Sequence, residues 1–132
     1  MEENYITHIL PNGARIVLEH VPAVRSASLG IWVGSGSRHE RKDQNGAAHF
    51  IEHMVFKGTQ RRSARELAQE MDAIGGQVNA YTTKESTCFY ARCLDEHLDR
   101  AMDLLCDMVF CSQFREEDVQ TERGVILEEN GR

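Results

Sequence analysis

The sequence predicts an α+β protein, with helices packed on one face of a mainly antiparallel sheet. Three observations carry this. An Asn-Gly turn separates two short apolar-rich runs near the N-terminus, two later segments carry helix start and stop signals, and the runs follow the order βββ-αα-ββ-αα. At 132 residues, 41% hydrophobic and 27% charged, the chain supports one core of ordinary globular composition.

Each element has a local reason. Tyr5 to Leu10 and Arg15 to Glu19 flank Pro11-Asn12-Gly13, a hairpin signal because Asn and Gly accept positive φ at little cost. Ala27 to Val33 is rich in strand formers, and Gly34-Ser35-Gly36-Ser37 ends it before a polar loop to Gln44. Residues turn helical from Gly46 to Phe56, with Gly58 at the closing cap. Ser63 and Glu66 form a capping box ahead of the stripe Leu67, Met71, Ile74, and Gly75-Gly76 stops that helix. Strands follow at Gln77 to Thr82 and Ser86 to Leu94. A helix then runs from about Glu96 to Cys111, and a last one starts near Glu116 and has not ended at Arg132.

The formal net charge of −6 argues against generic nucleic-acid binding. Residues 95–132 carry four Lys and Arg against eleven Asp and Glu, which a solvated helix face explains without a basic partner. No run approaches the length of a membrane span, and the N-terminus is acidic, so neither a transmembrane helix nor a secretory signal is expected. Cys88, Cys93, Cys106 and Cys111 form no C-x-x-C pair and read as reduced, partly buried thiols.

The chemistry concentrates at Ala47-Ala48-His49-Phe50-Ile51-Glu52-His53-Met54-Val55-Phe56. His49 and His53 are four residues apart and project from one helix face, where they can hold a single metal ion. Glu52 lies beside them. The surrounding residues are apolar nearly all round, the pattern of a buried helix, and ionisable groups there need a partner or a metal. H-x-x-E-H is the inverzincin motif. Such a site needs a third ligand. With Glu129 at zero on a wheel of about 100° per residue, Glu122 falls near 20°, Val125 near −40° and Ile126 near 60°. Glu122 and Glu129 therefore share the apolar stripe and are expected to face inward, Glu129 as a ligand and Glu122 supporting it.

These residues resemble the pitrilysin/insulinase zinc peptidases, in particular the bacterial relatives of the mitochondrial processing peptidase β subunit. The resemblance rests on His49 to His53 and Glu122 to Glu129, with Gly34-Ser35-Gly36-Ser37-Arg38, Phe56-Lys57-Gly58-Thr59 and Gly75-Gly76-Gln77-Val78-Asn79-Ala80 as further matches. It implies one zinc ion per chain held by His49, His53 and Glu129, Glu52 as catalytic base and Glu122 as supporting carboxylate. It further implies an extended peptide, a basic one suiting the acidic charge, added as a strand beside Gln77 to Thr82. Asn79 would then contact it by its amide and Ala80 by its backbone. Family members have two homologous halves, so residues 1–132 correspond to the first part of the N-terminal zinc-binding half, with the rest absent and little activity expected of the piece alone. The expected location is the bacterial cytoplasm. The working assembly stays open between one chain, a homodimer and a heterodimer. Two alternatives stand beside this reading. One is a small zinc enzyme of the S-ribosylhomocysteine lyase type with Cys106 or Cys111 as third ligand. The other is a non-catalytic subunit of a peptidase-like complex.

Overall fold

The computed structural model describes residues 5–34 and 47–130, together with the side chains of those residues except Ala48 and 126–130. The expected loop to Gln44, the Ser35 to Arg38 part of the glycine-serine match and the helix start at Gly46 lie outside the described residues.

The expected hairpin forms. Strands β1 (Tyr5–Ile9) and β2 (Arg15–Glu19) pair antiparallel from Tyr5 opposite Glu19 to Ile9 opposite Arg15. Gly13 takes φ 90°, and the Asn12 side chain accepts a hydrogen bond from the Ala14 N–H at 3.0 Å. The hairpin is a two-stranded sheet of its own, and Ile6, Val17 and Leu18 are exposed on it.

Strands β3 (Ser26–Val33), β4 (Gln77–Thr82) and β5 (Thr87–Leu94) form a second antiparallel sheet in the order β3-β5-β4. Side chains alternate across it. Leu29, Ala91 and Val78 make one row of the inner face, and Ile31, Phe89 and Ala80 the next. Helices α2 (Ala64–Ile74) and α3 (Leu98–Phe110) cover that face with Leu67, Ile74, Ala101, Leu104, Leu105 and Met108. On the opposite face Trp32, Cys88 and Tyr81 stand in register. The Trp32 indole lies across Gly30, where a Cβ would collide with it.

The capping box is present in both directions: Ser63 Oγ accepts from the Glu66 N–H at 3.1 Å, and Glu66 accepts from the Ser63 N–H. Gly75 closes α2 in the left-handed region at φ 71°. At Gly76 the backbone passes so close to the Arg92 carbonyl that a Cβ would overlap it. The helix expected from Glu96 instead opens with a 3-10 turn over Asp95–His97, and α3 proper begins at Leu98.

Helix α1 (Ala47–Met54) packs against β4 and α4 (Glu116–Asn130). It ends two residues before the expected Phe56, in a turn where the Phe56 and Lys57 N–H groups donate to the His53 and Met54 carbonyls. The expectation of a helix buried on all sides needs correction. Met54 is fully buried and Val55, just beyond the helix, is 1% exposed, but Ile51 is 44% exposed. An all-apolar helix carries no periodicity to show which side is covered, and here β4 and α4 leave one side open.

The segment after α1 is locked to α3. Gly58 takes φ 132°, and Thr59 is buried. The Thr59 hydroxyl donates to Asp107 Oδ2 at 2.8 Å and accepts from the Arg61 and Arg62 N–H groups, while Arg62 Nη1 donates to the same Asp107 oxygen. The end of the histidine helix is thus tied through a buried polar group to the last turn of α3.

Among the described residues no helix is long and apolar enough to cross a membrane. The four cysteines are free thiols, Cys88 and Cys93 buried and Cys111 exposed.

Candidate metal centre and active site

The four-residue spacing does on α1 what it predicts. His49 Nε2 and His53 Nε2 face each other at 3.1 Å, with ring centroids 4.7 Å apart and planes nearly perpendicular. Two imidazole nitrogens bound to one tetrahedral zinc ion at about 2.0–2.1 Å stand roughly 3.3 Å apart. The observed separation is close to that span, so the pair fits a shared ion with little movement of either ring.

Helix α4 supplies the next component. Glu122 is 5% exposed, and its Oε2 accepts from His53 Nδ1 at 3.0 Å. A proton on Nδ1 leaves the Nε2 lone pair of His53 facing His49, the tautomer a metal ligand requires. The other carboxylate oxygen, Oε1, meets the Lys57 ammonium at 2.7 Å. The hydrogen bond from Lys57, followed by that from His53, holds the Glu122 carboxyl below its ordinary value, against the opposing effect of burial. The inward orientation read from the helical wheel is therefore found at Glu122. Its neighbour Val125 is 40% exposed, so the stripe is less fully covered than the wheel suggests.

Glu52 projects toward β4. Its Oε2 accepts from the Thr82 hydroxyl at 2.6 Å. Thr82 shares the inner face of the edge strand with Ala80. Sequence reasoning missed both Lys57 and Thr82. Lys57 sits in the quoted Phe56-Lys57-Gly58-Thr59 match, and Thr82 is two residues past Ala80 on the same face, so strand alternation was the available signal for the latter.

Asn79 and Ala80 lie on β4, which has β5 on one side and, among the described residues, no strand on the other. Asn79 is exposed on the outer face, and its Oδ1 accepts from the Ala80 N–H at 2.8 Å. Its amide oxygen is thus turned onto its own strand, and Thr82 is the β4 residue that bonds to α1. Glu129 falls within α4, but its side chain lies outside the described residues. Among the described residues no group of three His, Cys, Asp or Glu side chains gathers as a metal cluster.

The family model described as Insulinase (Peptidase family M16) matches residues 15–131. The chain belongs to this family. The matched family is one of peptidases, whereas the alternative with Cys106 or Cys111 as third ligand is of the lyase type. Among curated relatives, the chain is 57% identical over 118 residues to the uncharacterized zinc protease YmxG of Bacillus subtilis (strain 168), covering 89% of this chain and 29% of that protein. It is 44% identical over 124 residues to the mitochondrial-processing peptidase subunit beta of Caenorhabditis elegans, covering 94% of this chain and 27% of that one. The structure is similar to a protease from Helicobacter pylori, with TM-score 0.90 and 26% identity over 96% of this chain and 31% of that chain. This M16 chain spans under a third of the length of the relatives it matches.

Proposed function

We propose that this chain carries the zinc-binding and proton-transfer residues of a metalloendopeptidase and corresponds to the first part of its N-terminal peptidase domain. The observation that supports it most is the His49–His53 pair at 3.1 Å, with His53 held from behind by Glu122 at 3.0 Å. His49 and His53 are the ligands on α1, Glu129 is the third, and Glu122 orients His53. Family membership and relatives named as zinc proteases support the choice of metal.

Zinc, when bound, supplies a Lewis acid that polarises the scissile carbonyl and acidifies water. The chain's own contribution is positional. Thr82 occupies Oε2 of Glu52, which leaves Oε1 to take a proton from the attacking water. As the carbon–nitrogen bond breaks, Glu52 returns that proton to the leaving amine. The substrate is an extended peptide added to the outer edge of β4, its backbone meeting Asn79 and Ala80. Main-chain pairing of this kind accepts many sequences and requires only that the peptide be unfolded there. Asn79 must release the Ala80 N–H to take part.

The activity belongs to the whole protein, and the 132 residues alone bind zinc weakly and cleave little. The test is metal content together with hydrolysis of an unfolded basic peptide. One zinc per chain is expected in the whole protein, lost with activity in His49→Ala and Glu129→Gln and retained without activity in Glu52→Gln. Full metal content and activity in His49→Ala would overturn the assignment.

A further inference from the structure

We infer that Lys57 is a positioning residue of this centre, fixing Glu122 so that Glu122 in turn fixes the ring of His53. The inference builds on the zinc reading above and goes beyond the ligands and supporting carboxylate to the group that holds the carboxylate itself.

Three features place Lys57 for this role. Its backbone is fixed: its N–H donates to the Met54 carbonyl at 3.1 Å, and the next two residues are the left-handed Gly58 and the buried Thr59 tied to α3. Its ammonium reaches across to α4 and meets Glu122 Oε1 at 2.7 Å, with the Glu122 side chain 7% exposed. The opposite oxygen of the same carboxylate holds His53 Nδ1. Both oxygens are therefore engaged, each by a group from α1 or the turn that ends it.

Two anchors define the plane of a carboxylate, whereas one does not. The terminal torsion of Glu is broad and roughly two-fold. With Lys57 removed, Oε1 has no cation and the carboxylate rotates about its single bond to His53. The ring then loses the fixed partner that keeps its proton on Nδ1 and its Nε2 facing His49. A cation that only stabilised a buried carboxylate would not have to lie on the segment carrying the histidine. Lys57 follows His53 by four residues, so helix end and anchor move as one piece.

The test uses Lys57→Met, which keeps the aliphatic stem and removes the charge, with Lys57→Arg as the conservative partner. In the metal-free protein, ¹⁵N NMR of the histidine rings is expected to show one Nδ1-protonated form of His53 in the parent and a mixture in Lys57→Met. Zinc affinity, measured by competition with a chromophoric chelator, is expected to fall about 10- to 100-fold in Lys57→Met and to recover largely in Lys57→Arg. Adding Lys57→Met to Glu122→Gln is expected to cost nothing further. An unchanged His53 tautomer with zinc affinity within twofold of the parent, even if the melting temperature drops, overturns the proposal. Losses that add in full in the double variant overturn it too. Should Lys57→Met not fold, Lys57→Gln takes its place under the same criteria. If the parent protein takes up no zinc, the zinc reading fails, and the His53 tautomer in metal-free protein still decides the role of Lys57.

Discussion

The hydroxyl of Thr82 on the sheet's edge strand donates to Glu52 on the histidine helix at 2.6 Å. This bond ties the proposed base to the strand proposed to receive the peptide. It aims one carboxylate oxygen and leaves the other for proton transfer. Thr82→Val keeps the shape of the side chain and removes the donor. We expect kcat to fall about tenfold, the rate equivalent of ~1.4 kcal/mol, with KM and zinc content unchanged. Glu52→Gln should lose about a hundredfold to ten-thousandfold. Steady-state kinetics on one peptide compares them.

Thr59 predicts a stability effect away from the chemistry. Its buried hydroxyl serves Asp107, Arg61 and Arg62 at once. Thr59→Val strips a donor from a carboxylate that already has one buried oxygen without a partner among the described residues. A loss of about 1–3 kcal/mol is expected in urea unfolding, with Thr59→Ser recovering most of it.

Acid should loosen the fold through Asp103. Hydrogen bonds from Arg61, then Arg62, hold its carboxyl below the ordinary value of 3.8. A carboxyl whose folded pKa is depressed adds stability above its unfolded pKa and loses it as pH falls through the folded value. The melting temperature is therefore expected to decline below about pH 4. Asp103→Asn should lower it at neutral pH and flatten the decline. An equally steep acid decline in that variant would remove Asp103 as its cause.

Two glycines should respond in opposite senses. A methyl group at Gly76 meets the Arg92 carbonyl where β4 begins, so Gly76→Ala is expected to destabilise by about 1–3 kcal/mol. At Gly124, within α4, a Cβ meets nothing within 4 Å, and Gly124→Ala should stabilise by about 0.8–1 kcal/mol. Thermal melts of the two variants check both signs.

What the sequence made legible was local or periodic. The Ser63–Glu66 box, the Asn12-Gly13 turn and the His49–His53 pair each depend on residues a few positions apart, and all three form. Glu122 was legible because a charged residue on an apolar helical stripe needs a reason to be there. Strand alternation marks the face of Thr82 but not its partner 30 positions away, and no pattern marks the pairing of Lys57 with a residue 65 positions away. The separation of the hairpin from the larger sheet is likewise a matter of packing, and either strand grouping has the same sequence pattern. The open side of α1 at Ile51 was hidden for the opposite reason: apolar residues all round give no direction.

Trp32 is the chain's single tryptophan, and it stands exposed on the outer face of the sheet, in register through Cys88 with Tyr81 on the edge strand. Its emission is therefore a built-in optical gauge with one source and one address. It reports the integrity of β3, β5 and β4 without a label, on the face turned away from the helices.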